Sequence, residues 1–350
     1  MIRSKRSVRQ LLAAGIATLS LIALAACGSP DEKSVHFTAA GDIGLGEGAL
    51  AVLDTVAELK PDFNIALGDF PYEPGADQEF CDMVTGKLGA EFAYQLLPGN
   101  HESDGSDGDI EKLAACLPNR LPGLQGDYAE QWYVDVPQEE PLARIIVVSP
   151  GIEFPGGKLD YSKDSERWNW TEKAIDGART ENIPWTVVAM HTPCFTMGRY
   201  ACAAGEALTN MLIEKKVDLV LSGHEHLYQR TRQLGFSDRC EYMRAKTVEK
   251  RCVVDTGDAM TQGRGTVFVT VGIGGRTPRE INIDDPEAHY FASWSAGNHN
   301  STLGTLDVTA TNTRMDVKLV PADGYTFSDS FRIRKESRAQ CAHKCNLRTG

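Results

Sequence analysis

The sequence predicts an α/β fold in which two packed mixed sheets are flanked by helices, and three observations point to it. Apolar runs rich in β-branched residues recur along the chain, helix-like stretches separate several of them, and the last part switches to strands without helices between them. Residues 35–40, 63–67, 92–97, 144–148, 185–190 and 217–221 read as strands. Residues 49–60, 168–179 and 206–216 read as the helices that lie between some of them. From Arg264 onward, residues 266–271, 305–310, 314–319 and 328–333 read as strands, and Met315, Val317 and Leu319 alternate as in an antiparallel sheet with one covered face. That sheet is expected to be separate from the first and to pack on it.

Residues 1–26 read as an export signal, because Arg3, Lys5, Arg6 and Arg9 precede an apolar stretch without one acidic residue. The stretch is short for a membrane span. It ends Leu24-Ala25-Ala26-Cys27, which resembles the bacterial lipobox and makes Cys27 the lipid-bearing first residue of the mature chain. An ordinary secretory signal is the alternative. The expected location is therefore outside the cytoplasm, anchored through Cys27 to the outer face of a membrane, with secretion as the other outcome. Residues 27–34 form a short tether, 35–335 a single catalytic domain without a Ser/Pro-rich linker, and 336–350 a tail.

The chain carries 48 acidic against 36 basic residues, a formal net charge of −12. Loss of the four basic leader residues makes the remainder more acidic still, so it repels polyanions and no nucleic-acid partner is expected. There are nine cysteines. With Cys27 lipidated, an even number remains in an oxidising compartment, and short separations suggest Cys81 with Cys116, Cys194 with Cys202, Cys240 with Cys252, and Cys341 with Cys345.

Five short polar signatures each follow a strand-like run: Gly41-Asp42-Ile43-Gly44, Gly68-Asp69-Phe70-Pro71-Tyr72, Gly99-Asn100-His101-Glu102, Met190-His191 and Gly223-His224-Glu225-His226. In open α/β sheets, residues beyond the carboxyl ends of strands converge, which places all five on one rim. Carboxylate, phenolate, amide and imidazole are donors for hard or borderline cations. They suffice for two ions, and such a pair, about 3.5–4 Å apart, drives in-line attack on phosphorus. The acidic run 103–109 reads as a solvated loop, since its spacing misses that of a calcium loop.

These residues resemble the calcineurin-like metallophosphoesterases and, within them, the purple acid phosphatases. Many members of the wider group begin D-x-H; here Asp42-Ile43-Gly44 lacks that His, while Tyr72 stands three residues after Asp69. The exchange of His for Tyr marks the purple acid phosphatases. The resemblance covers residues 35–333 and implies a four-layer α/β/β/α sandwich. It implies a first metal site of Asp42, Asp69, Tyr72 and His226 and a second of Asn100, His191 and His224, with Asp69 bridging. The implied ions are iron(III) and a divalent iron, zinc or manganese, with hydroxide as nucleophile. His101 would stand over the substrate phosphate to protonate the leaving oxygen, and Glu102 would orient it.

One departure concerns the loop after His191, where the family carries a further His near the leaving group. None occurs between Thr192 and Gly223, but Arg199 and Tyr200 fall near that spacing and are candidate substrate contacts, unless the segment is only a loop stapled by Cys194 and Cys202. The resemblance implies a metal-dependent phosphomonoesterase acting on small phosphate esters. A diester, nucleotide or phospholipid-headgroup hydrolase with the same metals is the alternative. A non-catalytic phosphate-binding lipoprotein is a third reading, whose expected mark, a lost metal ligand, is missing.

Overall fold

A computed structural model describes residues 32–336. The leader with Cys27 and the Cys341–Cys345 pair lie outside the described residues. Alternation along the central strands shows how the layers form. Ile145, Val147, Val187, Ala189, Leu219 and Leu221 join one apolar cluster, whereas their neighbours Ile146, Val148, Val188 and Val220 join another. Strands with side chains of both faces buried need cover on both sides.

The first cluster lies between the sheets, since it also contains Phe37, Ala39, Val308 and Val317 from the opposite sheet. The second holds Ile175 and Leu208, from helices Glu166–Thr180 and Glu206–Glu214. A third, with Leu53, Phe80, Val84 and Leu113, packs helices Glu47–Leu59, Asp77–Leu88 and Ile110–Cys116 on the outer face of the other sheet. The result is the helix–sheet–sheet–helix layering expected. Ser165 and Asp109 start two of the helices by accepting backbone N–H bonds from Trp168 and from Glu111 and Lys112.

Seven strands form the first sheet, in the order Ala259–Thr261, Asp329–Arg334, Arg314–Pro321, Gly304–Thr311, Ser34–Ala40, Phe63–Ala66 and Tyr94–Leu96. Eight form the second: Phe291–Ser295, Tyr228–Thr231, Val267–Val271, Leu219–Ser222, Trp185–Ala189, Ala143–Val147, Gln131–Val136 and Gln125–Asp127. This corrects the expectation of a separate C-terminal sheet. Val267–Val271 runs parallel to Leu219–Ser222 in the second sheet, whereas Gly304–Thr311 pairs antiparallel with Ser34–Ala40 and extends the first. Each sheet is therefore built from early and late chain. Disulfides Cys81–Cys116, Cys194–Cys202 and Cys240–Cys252 are present as expected.

The two sheets meet at one rim. Gly41 N–H donates to Val271 O across them, at 3.0 Å, and Gly274 N–H returns a bond to Gly41 O at 2.8 Å. Asp42 N–H donates to Gly68 O and Ile43 N–H to Asp69 O, both at 2.9 Å, while Gly223 N–H reaches His191 O at 3.0 Å. Backbone bonds thus join the first signature to the second and the fourth to the fifth.

Candidate metal centre

Sharp turns aim the side chains. Asp42, Asp69, Tyr72 and His224 all have positive φ, between 59° and 68°, a region that costs a non-glycine residue energy and clusters at functional sites. Their neighbours must be small. A Cβ on Gly99 would sit 2.0 Å from Asp69 Oδ1, and one on Gly68, itself at φ +87°, would sit 2.6 Å from His191 Nδ1.

Six of the seven expected ligands converge in close contact. Tyr72 Oη lies 3.2 Å from Asp42 Oδ1, 3.3 Å from Asp69 Oδ2 and 3.2 Å from His226 Nε2. His226 Nε2 is 3.3 Å from Asp42 Oδ1. On the other side, Asp69 Oδ1 lies 3.3 Å from His191 Nε2, which is 3.2 Å from His224 Nδ1. His191 Nδ1 is engaged by Leu67 O at 2.7 Å, which leaves Nε2 for the cluster. Asn100, the seventh, is exposed in the turn between Gly99 and His101, whose N–H donates to Asp69 Oδ1 at 3.2 Å.

This arrangement fits cations better than hydrogen bonds. Tyr72 has one hydroxyl hydrogen but three acceptors around it, two of them carboxylates. Asp42 is fully buried, and its Oδ2 has no hydrogen-bond partner. Buried carboxylates without Lys or Arg partners are costly. Donors bound at about 2.1 Å to one ion lie roughly 3 Å from one another, which is close to the spacings seen here.

Burial opposes charge on His191, yet Asp69 and Asp42 raise its imidazole to about 9, so a cation must displace that proton to bind there. Burial opposes charge on Asp69, yet His191, with help from His101 and His224, holds its carboxyl well below the usual range. Burial and the carboxylates of Asp42 and Asp69 push the Tyr72 phenol far above its ordinary value, so a phenolate there needs an adjacent cation. Burial and the neighbouring His191 push His224 down to about 3, leaving its imidazole neutral and able to ligate.

The expected roles of the G-N-H-E residues need one correction. Glu102 does not contact His101. Its carboxylate is buried and accepts backbone N–H bonds from Asp69 at 3.0 Å, Phe70 at 3.2 Å and Gly99, so it braces the turns that hold Asp69. Adjacent residues in a tight turn point apart, which is why sequence proximity misled. His101 is instead held by Asp107, whose Oδ2 lies 2.8 Å from His101 Nδ1. Asp107 belongs to the acidic run expected to be only a solvated loop. His101 Nε2 faces the cluster, 3.8 Å from Asp69 Oδ2.

Arg199 and Tyr200 do reach the site. The Tyr200 ring stacks on His224, centroids 4.0 Å apart, and Arg199 Nη2 donates to Tyr200 Oη at 2.6 Å. Sequence reasoning missed Arg276 and Arg279, on the loop following Val267–Val271. Arg276 N–H donates to Asp42 O at 3.0 Å and Arg279 N–H to His226 O at 2.8 Å. The Arg276 guanidinium lies 4.3 Å from the Tyr72 ring centroid, and Arg279 Nη1 donates to Tyr200 Oη at 2.9 Å. The signal available was Gly272-Ile-Gly-Gly-Arg276, a glycine-rich turn with a cation directly after an apolar strand.

Residues 35–228, more than half of the chain, match the calcineurin-like phosphoesterase family, and the chain belongs to it. Curated relatives are named as purple acid phosphatases. The chain is 25% identical to purple acid phosphatase 21 of Arabidopsis thaliana over 216 residues, 57% of this chain and 46% of that protein. It is 26% identical to the Fe(3+)-Zn(2+) purple acid phosphatase 12 of the same plant over 242 residues, 65% of this chain and 47% of that one. The matches thus span about half the length of these relatives. Among solved structures, the purple acid phosphatase PPD1 of yellow lupin (Lupinus luteus) superposes with a TM-score of 0.62 at 18% identity, covering 89% of this chain and 55% of that one. That likeness supports the fold.

Proposed function

We propose that this chain is a metal-dependent phosphomonoesterase of the purple acid phosphatase type. Asp42, Asp69, Tyr72 and His226 hold one ion, and Asn100, His191 and His224 hold the other with Asp69 shared. One observation carries the reading: the two oxygens of Asp69 face two different donor sets, Oδ1 toward His191 and Oδ2 toward Tyr72. Phenolate is a hard anionic donor suited to iron(III), while amide and imidazoles suit a divalent ion such as zinc, iron or manganese. The relative named for iron(III) and zinc is consistent with that division. When bound, such a pair makes hydroxide available near neutrality and offsets charge developing on phosphoryl oxygens.

The protein's own residues supply the rest. In the hydrolysis a water oxygen bonds to phosphorus, the ester P–O bond breaks, and the leaving oxygen takes a proton. His101 Nε2 delivers that proton, with Asp107 fixing the ring through Nδ1. Arg276 contributes positive charge beside Tyr72.

Kinetics on matched aryl esters test the reading. Metal-loaded protein is expected to hydrolyse an aryl monophosphate with higher kcat/KM than the corresponding bis-aryl diester. The reverse order would move the assignment to a phosphodiesterase, and no turnover of either would sink it. Tyr72→Phe is expected to remove the visible phenolate-to-iron(III) absorption while turnover survives in part. A band that persists in the variant would show that Tyr72 is not the ligand.

A further inference from the structure

Loop 192–205 leaves the second sheet after His191 and is closed by the Cys194–Cys202 disulfide. Glu225, between the ligands His224 and His226, holds it in place: Oε1 accepts from Tyr200 N–H at 2.7 Å and from Thr196 Oγ1 at 3.4 Å. Gly198 passes so near that a Cβ there would lie 2.3 Å from the Glu225 carboxylate. The loop therefore presents Arg199 and Tyr200 in a fixed position.

At its tip, two guanidinium groups meet one phenol. Arg199 Nη2 and Arg279 Nη1 both donate to Tyr200 Oη, which occupies its lone pairs and leaves its own hydrogen to donate elsewhere. Among the described residues, neither arginine has a carboxylate within ion-pair distance, although Arg279 interacts at longer range with the carboxylate of Glu225. Neither guanidinium hydrogen-bonds to a metal-ligand side chain either. The trio borders the metal centre through the stacked rings of Tyr200 and His224.

We infer that Arg199, Tyr200 and Arg279 form a subsite for a second oxyanion, carboxylate or phosphate, so that the favoured substrates are phosphomonoesters whose leaving group is itself negatively charged. The inference rests on the phosphomonoesterase reading. Two cations and one O–H group converge at a single point, and planar guanidinium forks are suited to carboxylate or phosphate.

The test compares 3-phosphoglycerate with glycerol 3-phosphate, and fructose 1,6-bisphosphate with fructose 6-phosphate, on metal-loaded wild type and on the R199Q/R279Q double variant. Charge-assisted hydrogen bonds to the second anion should favour the more highly charged member of a pair by about 10- to 100-fold in kcat/KM, and the double variant should lose that preference. Preference in the first pair alone assigns a carboxylate, in the second alone a phosphate. A calorimetric comparison of phosphonoacetate with ethylphosphonate gives the same contrast without turnover, and Tyr200→Phe, which keeps the ring on His224, should weaken it partially. Equal values within both pairs for the wild type, or a preference that persists in R199Q/R279Q, would overturn the inference while leaving the phosphomonoesterase reading intact. Failure of metal-loaded protein to hydrolyse any of the four esters overturns the inference, and the phosphomonoesterase reading falls with it only when the aryl monophosphate is left intact as well.

Discussion

Asp69→Asn is expected to empty both metal positions and to lower kcat by more than about 10³-fold, beyond the loss typical of removing one electrostatic stabiliser. The carboxylate is 2% exposed and reaches both donor sets, so its negative charge serves two cations at once. A neutral amide keeps the shape but not the charge, and it cannot bridge two cations well. Backbone strain does not confuse the result. Asp69 sits at φ 60°, a conformation that Asn tolerates as readily as Asp, so the variant should fold. Metal analysis together with kcat on an aryl phosphate checks the claim. A variant that keeps two ions per chain would show that the centre does not depend on Asp69.

His101→Ala has the second large expected effect: metal content unchanged and kcat lower by about 10²–10⁴-fold, the range for a positioned general acid. The geometry separates the two functions, since His101 Nδ1 is taken by Asp107 and Nε2 stops 3.8 Å from Asp69. Asp107→Asn should cost less, about 10- to 100-fold, because it loosens the ring without removing it. Both losses should be greater for alkyl phosphates, whose leaving oxygen needs a proton, than for nitrophenyl phosphate, whose leaving group departs as an anion. Losses of equal size on the two substrates would rule out proton delivery by His101.

Much of this architecture was readable from local pattern. Strand runs ending in Gly-Asp, Gly-Asn-His or Gly-His carry both the period of the sheet and its terminating turn, so the rim and its ligand types follow from short windows of sequence. Sheet membership did not follow. Val267–Val271 and Gly304–Thr311 have similar apolar alternation yet join different sheets, because hydrogen-bond partners far away in sequence decide the pairing. Helix Asp77–Leu88 follows Pro74 and Gly75, which punctuate the chain, and its polar outer face leaves little apolar period to mark it.

At the site, the limit was direction rather than identity. Glu102 was singled out next to His101, but its side chain turns back to the backbone of Asp69, and the partner of His101 came from an acidic run with no periodicity to mark it. Arg276 and Arg279 stand more than 70 residues beyond Arg199 and meet the cluster only because the strand before them lies beside Leu219–Ser222.

Anomalous diffraction from crystals of the metal-loaded protein tests the central claim most directly, because it locates each ion independently of activity. Two peaks about 3.5–4 Å apart are expected, one beside Asp42, Tyr72 and His226, the other beside His191 and His224, with Asp69 reaching both. A single peak, or two peaks with Asp69 bound to neither, would contradict the account.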